Sequence, residues 1–291
     1  MTVLIVGDVI DDILVRALEP VTDDSDTRSE IVRRPGGSAA NQAAWLGHLG
    51  TPVAFVGRVA AADVARHTRE LSHHGVDARL AADPVAATGS IVIVVRDQQR
   101  TMFTDRGAAL RLSRQDIPDV LLRSAAHLHL TGYSFFEPAL RAQTSLLLGD
   151  ARSRGLPFSV DPSSVAFLHE VAPAEFLDWT SGAVATFPNL AEARYLTGID
   201  DPEAAAASLT AHYPVVAITL GAAGVVIATA TSAPASLPAP TVDPVDPTGG
   251  GDAFCAGFLH HWLAGSDVLS AATAGMVVAA QAVATVGARP G

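Results

Sequence analysis

Six short runs of β-branched and apolar residues, at 3–6, 53–56, 128–130, 158–160, 184–186 and 215–219, recur along the chain with helical patterns between them. Parallel strands need long crossovers, which helices supply, so this alternation predicts an α/β protein with a mostly parallel central sheet covered by helices on both faces, a three-layer αβα sandwich. At 291 residues and 49% hydrophobic, the chain can bury one large core, and a single domain over 1–291 is expected. Two segments break the alternation. Residues 11–34 are charged and read as irregular, and 88–106 read as a hairpin turning at 97–99, which could extend the main sheet as an edge. The proline-rich run 234–244 reads as an extended connection.

Several strands end on polar or glycine residues: Asp8 after the first, Gly132 and Tyr133 after the third, Asp161, Asn189 and Gly221 after the next three. Open α/β sheets bind ligands at the carboxyl ends of their strands, so the repetition points to a common cleft. A nine-residue segment, Asp246-Pro-Thr-Gly-Gly-Gly-Asp252-Ala-Phe254, carries the most chemistry. Phe254, Phe258 and Trp262 recur at helical spacing, so a helix begins near Gly251 and leaves its first backbone N–H groups unpaired. Gly249, Gly250 and Gly251 let those donors close around a phosphate, and the helix dipole favours the anion. A carboxylate is a poor holder of anions, which makes Asp252 a candidate base for an attacking hydroxyl; a helix cap is the other reading.

A second motif, Gly36-Gly-Ser-Ala-Ala-Asn41, precedes this one, and Asn189-Leu-Ala-Glu192 and Thr219-Leu-Gly221-Ala-Ala-Gly224 lie between them. With these four motifs in order the chain resembles the ribokinase-like, or PfkB, family of carbohydrate kinases over residues 3–287. The resemblance implies a ribokinase-like fold in which 11–34 and 88–106 form a small β-sheet lid over the acceptor. It also implies ATP-dependent phosphoryl transfer to an alcohol group of a small sugar or sugar acid. Asp252 would be the base, with the amides of Gly249, Gly250 and Gly251 on the γ-phosphate. Asp8, Asp12, Gly36, Gly37 and Asn41 match the acceptor-binding positions, Gly36 and Gly37 through close approach of backbone to ligand. Arg106 could pair with an acceptor carboxylate or be an exposed lid arginine, and Asp161-Pro-Ser-Ser departs from the Asn-x-Arg continuation of many sugar-acid kinases. Asn189 and Glu192 match the phosphate and magnesium motif, Glu192 acting on Mg2+ through water; from spacing alone they equally form a helix-capping pair. Thr219, Gly221 and Gly224 match the nucleotide loop. Asp246 resembles a monovalent-cation position, with Thr248 and Gly287 as further oxygen donors for K+, or it caps its own turn. The resemblance leaves a homodimer through the lid open.

The formal net charge of −11 opposes nucleic-acid or anionic-membrane partners and leaves ATP, neutralised locally, unaffected. The run from Met1 into the first strand has no basic signal region and no stretch suits a membrane span, so a cytoplasmic protein is expected. The single Cys255 reads as a core thiol. His127 and His129 alternate on a buried-looking strand and read as a satisfied core pair; no zinc is expected. The rival functions are a nucleoside kinase of the same fold, which needs an apolar or aromatic base pocket, and a catalytically silent sugar-binding protein. A dinucleotide enzyme is opposed by Gly7-Asp-Val-Ile after the first strand, which lacks the glycine fingerprint.

Overall fold

The computed structural model describes residues 1–21, 23–96 and 99–291. In chain order its strands are β1 (Thr2–Val6), β2 (Ile10–Ala17), β3 (Ser29–Gly36), β4 (Val53–Ala60), β5 (Val76–Asp83), β6 (Thr88–Arg96), β7 (Gln99–Gly107), β8 (Ala125–Thr131), β9 (Phe158–Asp161), β10 (Ala185–Thr186), β11 (Val215–Thr219), β12 (Val225–Thr229) and β13 (Ser232–Leu237). The helices are α1 (Ser38–His48), α2 (Val64–His73), α3 (Asp119–Ser124), α4 (Tyr133–Phe136), α5 (Pro138–Ser153), α6 (Val165–Leu168), α7 (Pro173–Trp179), α8 (Leu190–Thr197), α9 (Pro202–Leu209), α10 (Gly250–Leu263) and α11 (Val268–Val283). The main sheet runs β13-β12-β11-β10-β9-β8-β1-β4-β5, parallel from β11 to β5, with β12 and β13 antiparallel at one edge.

Three layers follow from the alternation of side chains along buried strands. Val3 and Ile5 of β1 and Phe55 of β4 pack on one face with Trp45, Phe254 and Phe258, while Leu4, Val6 and Val56 pack on the other with Phe135, Phe158 and Phe176. Each such large side chain taken out of water contributes about 1.5–3 kcal/mol, so both faces must be covered. Ala39, Ala40, Ala43 and Ala44 are fully buried, and their small size lets α1 lie close to the sheet and to α10. Among the described residues no helix is long and apolar enough to cross a membrane.

The segment 11–34, irregular by its own pattern but part of a small β-sheet by the resemblance, supplies β2 and β3, paired antiparallel from Ile10↔Gly36 to Ala17↔Ser29. They belong to a separate four-stranded sheet, β3-β2-β6-β7, in which β2 and β6 are parallel and the outer pairs antiparallel. Its strands lie only partly buried, so Asp12, Arg16, Arg33 and Arg34 are tolerated in them, and buried Asp11 is paired with Arg66; together they mask the pattern. The hairpin at 88–106 is present as β6 and β7 but joins this small sheet, not the edge of the main one. Residues 97 and 98 of its expected turn lie outside the described residues. The proline-rich run is also partly strand: β13 carries Pro234 on the sheet edge, where its register with β12 is irregular and a missing N–H is tolerated.

Candidate active site

Asp252 stands in the first turn of α10, where three side chains of α1 meet it. Its Oδ1 accepts hydrogen bonds from Ser38 Oγ at 2.6 Å and Gln42 Nε2 at 3.0 Å, and its Oδ2 accepts one from Asn41 Nδ2 at 3.1 Å. Positions 38, 41 and 42 share one helix face, so a single turn of α1 presents all three donors. That turn is itself fixed from β1. Gly37, the cap residue of α1, has no side chain to offer, and Asp8 accepts the exposed Ser38 N–H at 3.1 Å and Ala39 N–H at 3.2 Å. Burial pushes the Asp252 carboxyl up to about 6; the three donors oppose the rise and the charge of Asp8 adds to it. Gln42 Nε2 also donates to Asp161 Oδ2 at 2.7 Å, so one amide bridges two carboxyls. Asp161 is raised well above the usual range by burial, then by the charges of Glu192 and Asp252. Ser38 and Gln42 were not singled out in the sequence, although their polar spacing within an alanine-rich helix is a readable signal.

Two cavities meet at the glycine loop. One, of about 270 Å³, is lined by Asp8, Asp12, Gly37, Asn41, Arg106, Asn189, Glu192, Thr219 and residues 248–252, with Ile91, Ile93 and Met102 of the small sheet on its far wall. The other, of about 580 Å³, is lined by Thr219, Gly221, Gly224, residues 239–242, Gly250, Gly251, Phe254, Met276 and Val283. Thr219, Pro247, Gly250 and Gly251 belong to both. Sequence-predicted acceptor and nucleotide residues therefore gather at the carboxyl ends of β1, β10 and β11, with Asp12 and Arg106 reaching the first cavity from β2 and β7 of the small sheet and Asn41 from α1. Gly36 lies behind the first cavity, not on its wall: a Cβ there would sit 2.4 Å from Asp12 Oδ1, so any side chain at 36 would displace the Asp12 carboxyl. Gly37 has φ +95° and a Cβ would meet Asp8 O at 2.7 Å, so it too is glycine for reasons inside the protein. Burial raises Asp12 to about 6, against the lowering effect of Arg289.

Asn189 caps α8, with Oδ1 accepting the Glu192 N–H at 3.0 Å, while Glu192 accepts Asn189 N–H and Nδ2 at 2.9 and 2.7 Å. The capping pair and the cavity-lining pair are thus the same residues. Burial lifts Glu192 to about 7, and both Asn189 contacts pull it back. Asp246 accepts the Thr248 N–H at 3.0 Å and the Gly287 N–H at 3.1 Å, so it ties its own turn to the C-terminal segment.

Two arginines depart from the sequence reading. Arg106 is buried, 8% exposed, so the reading as an exposed lid arginine does not hold: Nη2 pairs with Asp8 Oδ2 at 3.1 Å. Arg289 had no local signal and is equally buried, with Nε donating to Asn41 Oδ1 at 3.1 Å and Nη2 to Gly36 O at 2.9 Å. Asp11 is held by Arg66 at 2.7 and 2.8 Å. His127 Nε2 and His129 Nδ1 both lie 2.7 Å from Ser159 Oγ, and burial lowers them to about 4 and about 3, which keeps both rings neutral. Cys255 is buried beside His129.

A fructokinase of Klebsiella pneumoniae is 28% identical over 245 residues, covering 80% of this chain and 78% of that protein. The crystal structure of adenosine kinase from Sinorhizobium meliloti superposes with a TM-score of 0.87 at 25% identity, covering 99% of this chain and 95% of the other. A fructokinase structure from Vibrio cholerae O395 with fructose, ADP and calcium ion bound gives a TM-score of 0.82 at 25% identity, covering 99% and 94% of the two chains. The profile of the pfkB family carbohydrate kinases matches residues 2–291, and the protein therefore belongs to that family of kinases.

Proposed function

We propose that the protein transfers the γ-phosphoryl group of ATP, with Mg2+, to a hydroxyl of a small sugar or sugar acid by direct in-line displacement. The observation that carries this reading is the position of Asp252. It stands at a helix N-terminus on the wall of the smaller, polar cavity, with Gly250 and Gly251 beside it opening onto the larger cleft. An acceptor hydroxyl in the smaller cavity would give its proton to Asp252 as it attacks. The first-turn amides of α10 would take the charge that develops on the transferred group. Bound magnesium would supply charge neutralisation on the phosphates, with Asn189 and Glu192 ordering its water; their carboxylate and amide on the wall of the smaller cavity fit that task. The small sheet would act as a lid that excludes water and so limits hydrolysis of ATP.

The acceptor class rests on the donors and acceptors of the smaller cavity. Asp8, Asp12 and Asn41 suit vicinal hydroxyls, and buried Arg106 suits a carboxylate or other anionic group. Similarity to an adenosine kinase keeps a nucleoside acceptor as a second reading. Turnover assays with neutral sugars, sugar acids and nucleosides, run on wild type and Asp252→Asn, test both parts: the variant should bind ATP and not turn over, and nucleosides should be the poorest acceptors. A monovalent cation at Asp246 and Thr248 is a separate reading, tested by rates in potassium against tetramethylammonium salts.

A further inference from the structure

Asn41 touches Asp252 on one side and Arg289 on the other. An amide has one acceptor end and one donor end, and which faces Asp252 decides whether the contact favours or opposes a negative charge there. Arg289 Nε donates to Asn41 Oδ1 at 3.1 Å, which turns Nδ2 toward Asp252 Oδ2 at 3.1 Å. The reversed amide would set two donors against each other at Arg289 and two acceptors against each other at Asp252. The guanidinium is itself held, since Nη2 donates to Gly36 O at 2.9 Å, at the strand end against which Asp12 packs. The segment carrying Arg289 is anchored beside it: Trp45 Nε1 donates to Ala288 O at 2.9 Å, Arg34 Nη1 donates to Val286 O at 2.7 Å, and the Gly287 N–H reaches Asp246 at 3.1 Å.

We infer that Arg289 is a positioning residue for phosphoryl transfer: acting through Asn41, it fixes the donor that holds Asp252 ionised and aligned. The inference rests on the reading of Asp252 as the base. The guanidinium does not reach the reacting atoms; it acts by orienting an amide, 248 residues earlier in the chain, that does. The charged and titratable groups facing Asp252 are Asp8 at the end of β1, Asp12 on β2, Asp161 on β9, Tyr133 on α4, Cys255 on α10 and Arg289 itself. Arg106 reaches this set through Asp8 and Tyr133. Five of the six groups facing Asp252 are neutral or negative, so losing the Arg289 charge and the ordered Asn41 donor should raise the protonation midpoint of Asp252.

The test is a double-mutant cycle. Asp252→Asn is the control for the base: retention of most wild-type kcat would sink that reading, and with it a role for Arg289 exerted through Asn41. With the base established, Arg289→Met and Arg289→Gln, each checked for folding by thermal unfolding, should lower kcat by at least about tenfold while KM for ATP changes less than about twofold. Two variants are used because the charge-free methionine could fail to fold where glutamine does not. In the folded variants the acid limb of kcat/KM for the acceptor should move to higher pH. Added to Asn41→Ala, either Arg289 change should lower kcat by no more than about twofold further, since Arg289 would have nothing left to orient. Losses that multiply in full, or an acid limb that stays in place in a folded Arg289 variant, would overturn the inference and leave Arg289 with a purely structural role.

Discussion

The guanidinium of Arg106 lies over the ring of Tyr133, 3.8 Å from its centroid. This covers an aromatic face in the smaller cavity that a nucleoside base would otherwise stack on, and it does so with a group suited to an anionic acceptor. Arg106→Ala should therefore lower kcat/KM for a sugar acid by about 10- to 100-fold, the loss of one charge-assisted hydrogen bond. Asp8 also loses a partner in that variant, so a neutral sugar should suffer too, and the ratio between the two acceptors is the measurement that decides. An unchanged ratio would remove Arg106 from acceptor recognition.

The proton affinity of Asp252 has a thermodynamic consequence. Its carboxyl titrates near 6 in the folded chain, raised chiefly by burial, against 3.8 for an ordinary aspartate. Between those values the folded state binds more protons than the unfolded state, so this group makes the protein less stable as pH rises from about 4 to about 6 and contributes no further change above. The stability of Asp252→Asn relative to wild type should rise across that window by on the order of 1–3 kcal/mol and then level off. Chemical denaturation at several pH values measures it. The acid limb of kcat/KM should fall in the same region, because a protonated Asp252 cannot accept the hydroxyl proton. A flat stability difference from pH 4 to 8 would contradict the strained carboxylate.

What the sequence disclosed about this site was local in the chain. Asp252 and the three glycines sit in a short motif whose physical purpose can be read from spacing, Asn41 entered through the motif that carries the family resemblance, and the strand-end residues follow from the alternation of elements. Arg289 could not be read that way, because its partners Asn41 and Gly36 are distant in sequence and the segment around it has no periodicity. The strands β2 and β3 were hidden for a different reason. In a thin, half-exposed sheet either face can hold charge, so residues 10–17 show no clean alternation even though each pairs in register with β3. Asn189 and Glu192 show the limit from the other side: their spacing announced a capping pair correctly, and the same two side chains line the cavity.

If the small sheet is a lid, acceptor binding should slow amide exchange in β2, β3, β6 and β7 more than in β1, β8 or β9. The expectation rests on Ile10, Ile91, Ile93 and Met102, which bring this sheet to the wall of the smaller cavity while its strands are less buried than those of the main sheet. Hydrogen exchange read by mass spectrometry, with and without a substrate that is turned over, resolves these peptides. Protection confined to the main sheet would make the small sheet a fixed wall and not a lid.

The glycine loop separates packing from chemistry at neighbouring positions. Gly249 has φ +79°, and a Cβ there would lie 2.6 Å from the Ala288 Cα, so Gly249→Ala must strain the backbone and displace the C-terminal segment. It should cost about 1–3 kcal/mol of stability. A Cβ on Gly251 meets nothing within 4 Å, so no contact inside the protein requires glycine there. Alanine is the better helix former, so Gly251→Ala should leave stability unchanged or raise it by up to about 1 kcal/mol. Its added methyl would stand where both cavities meet, in the space that a phosphoryl group would cross in the proposed transfer. Turnover should then fall at least about tenfold in a protein that melts no lower than wild type. Thermal unfolding and initial rates on the two variants distinguish the cases, and a Gly251→Ala enzyme of near-normal kcat would mean that the phosphoryl group does not approach α10 by this route.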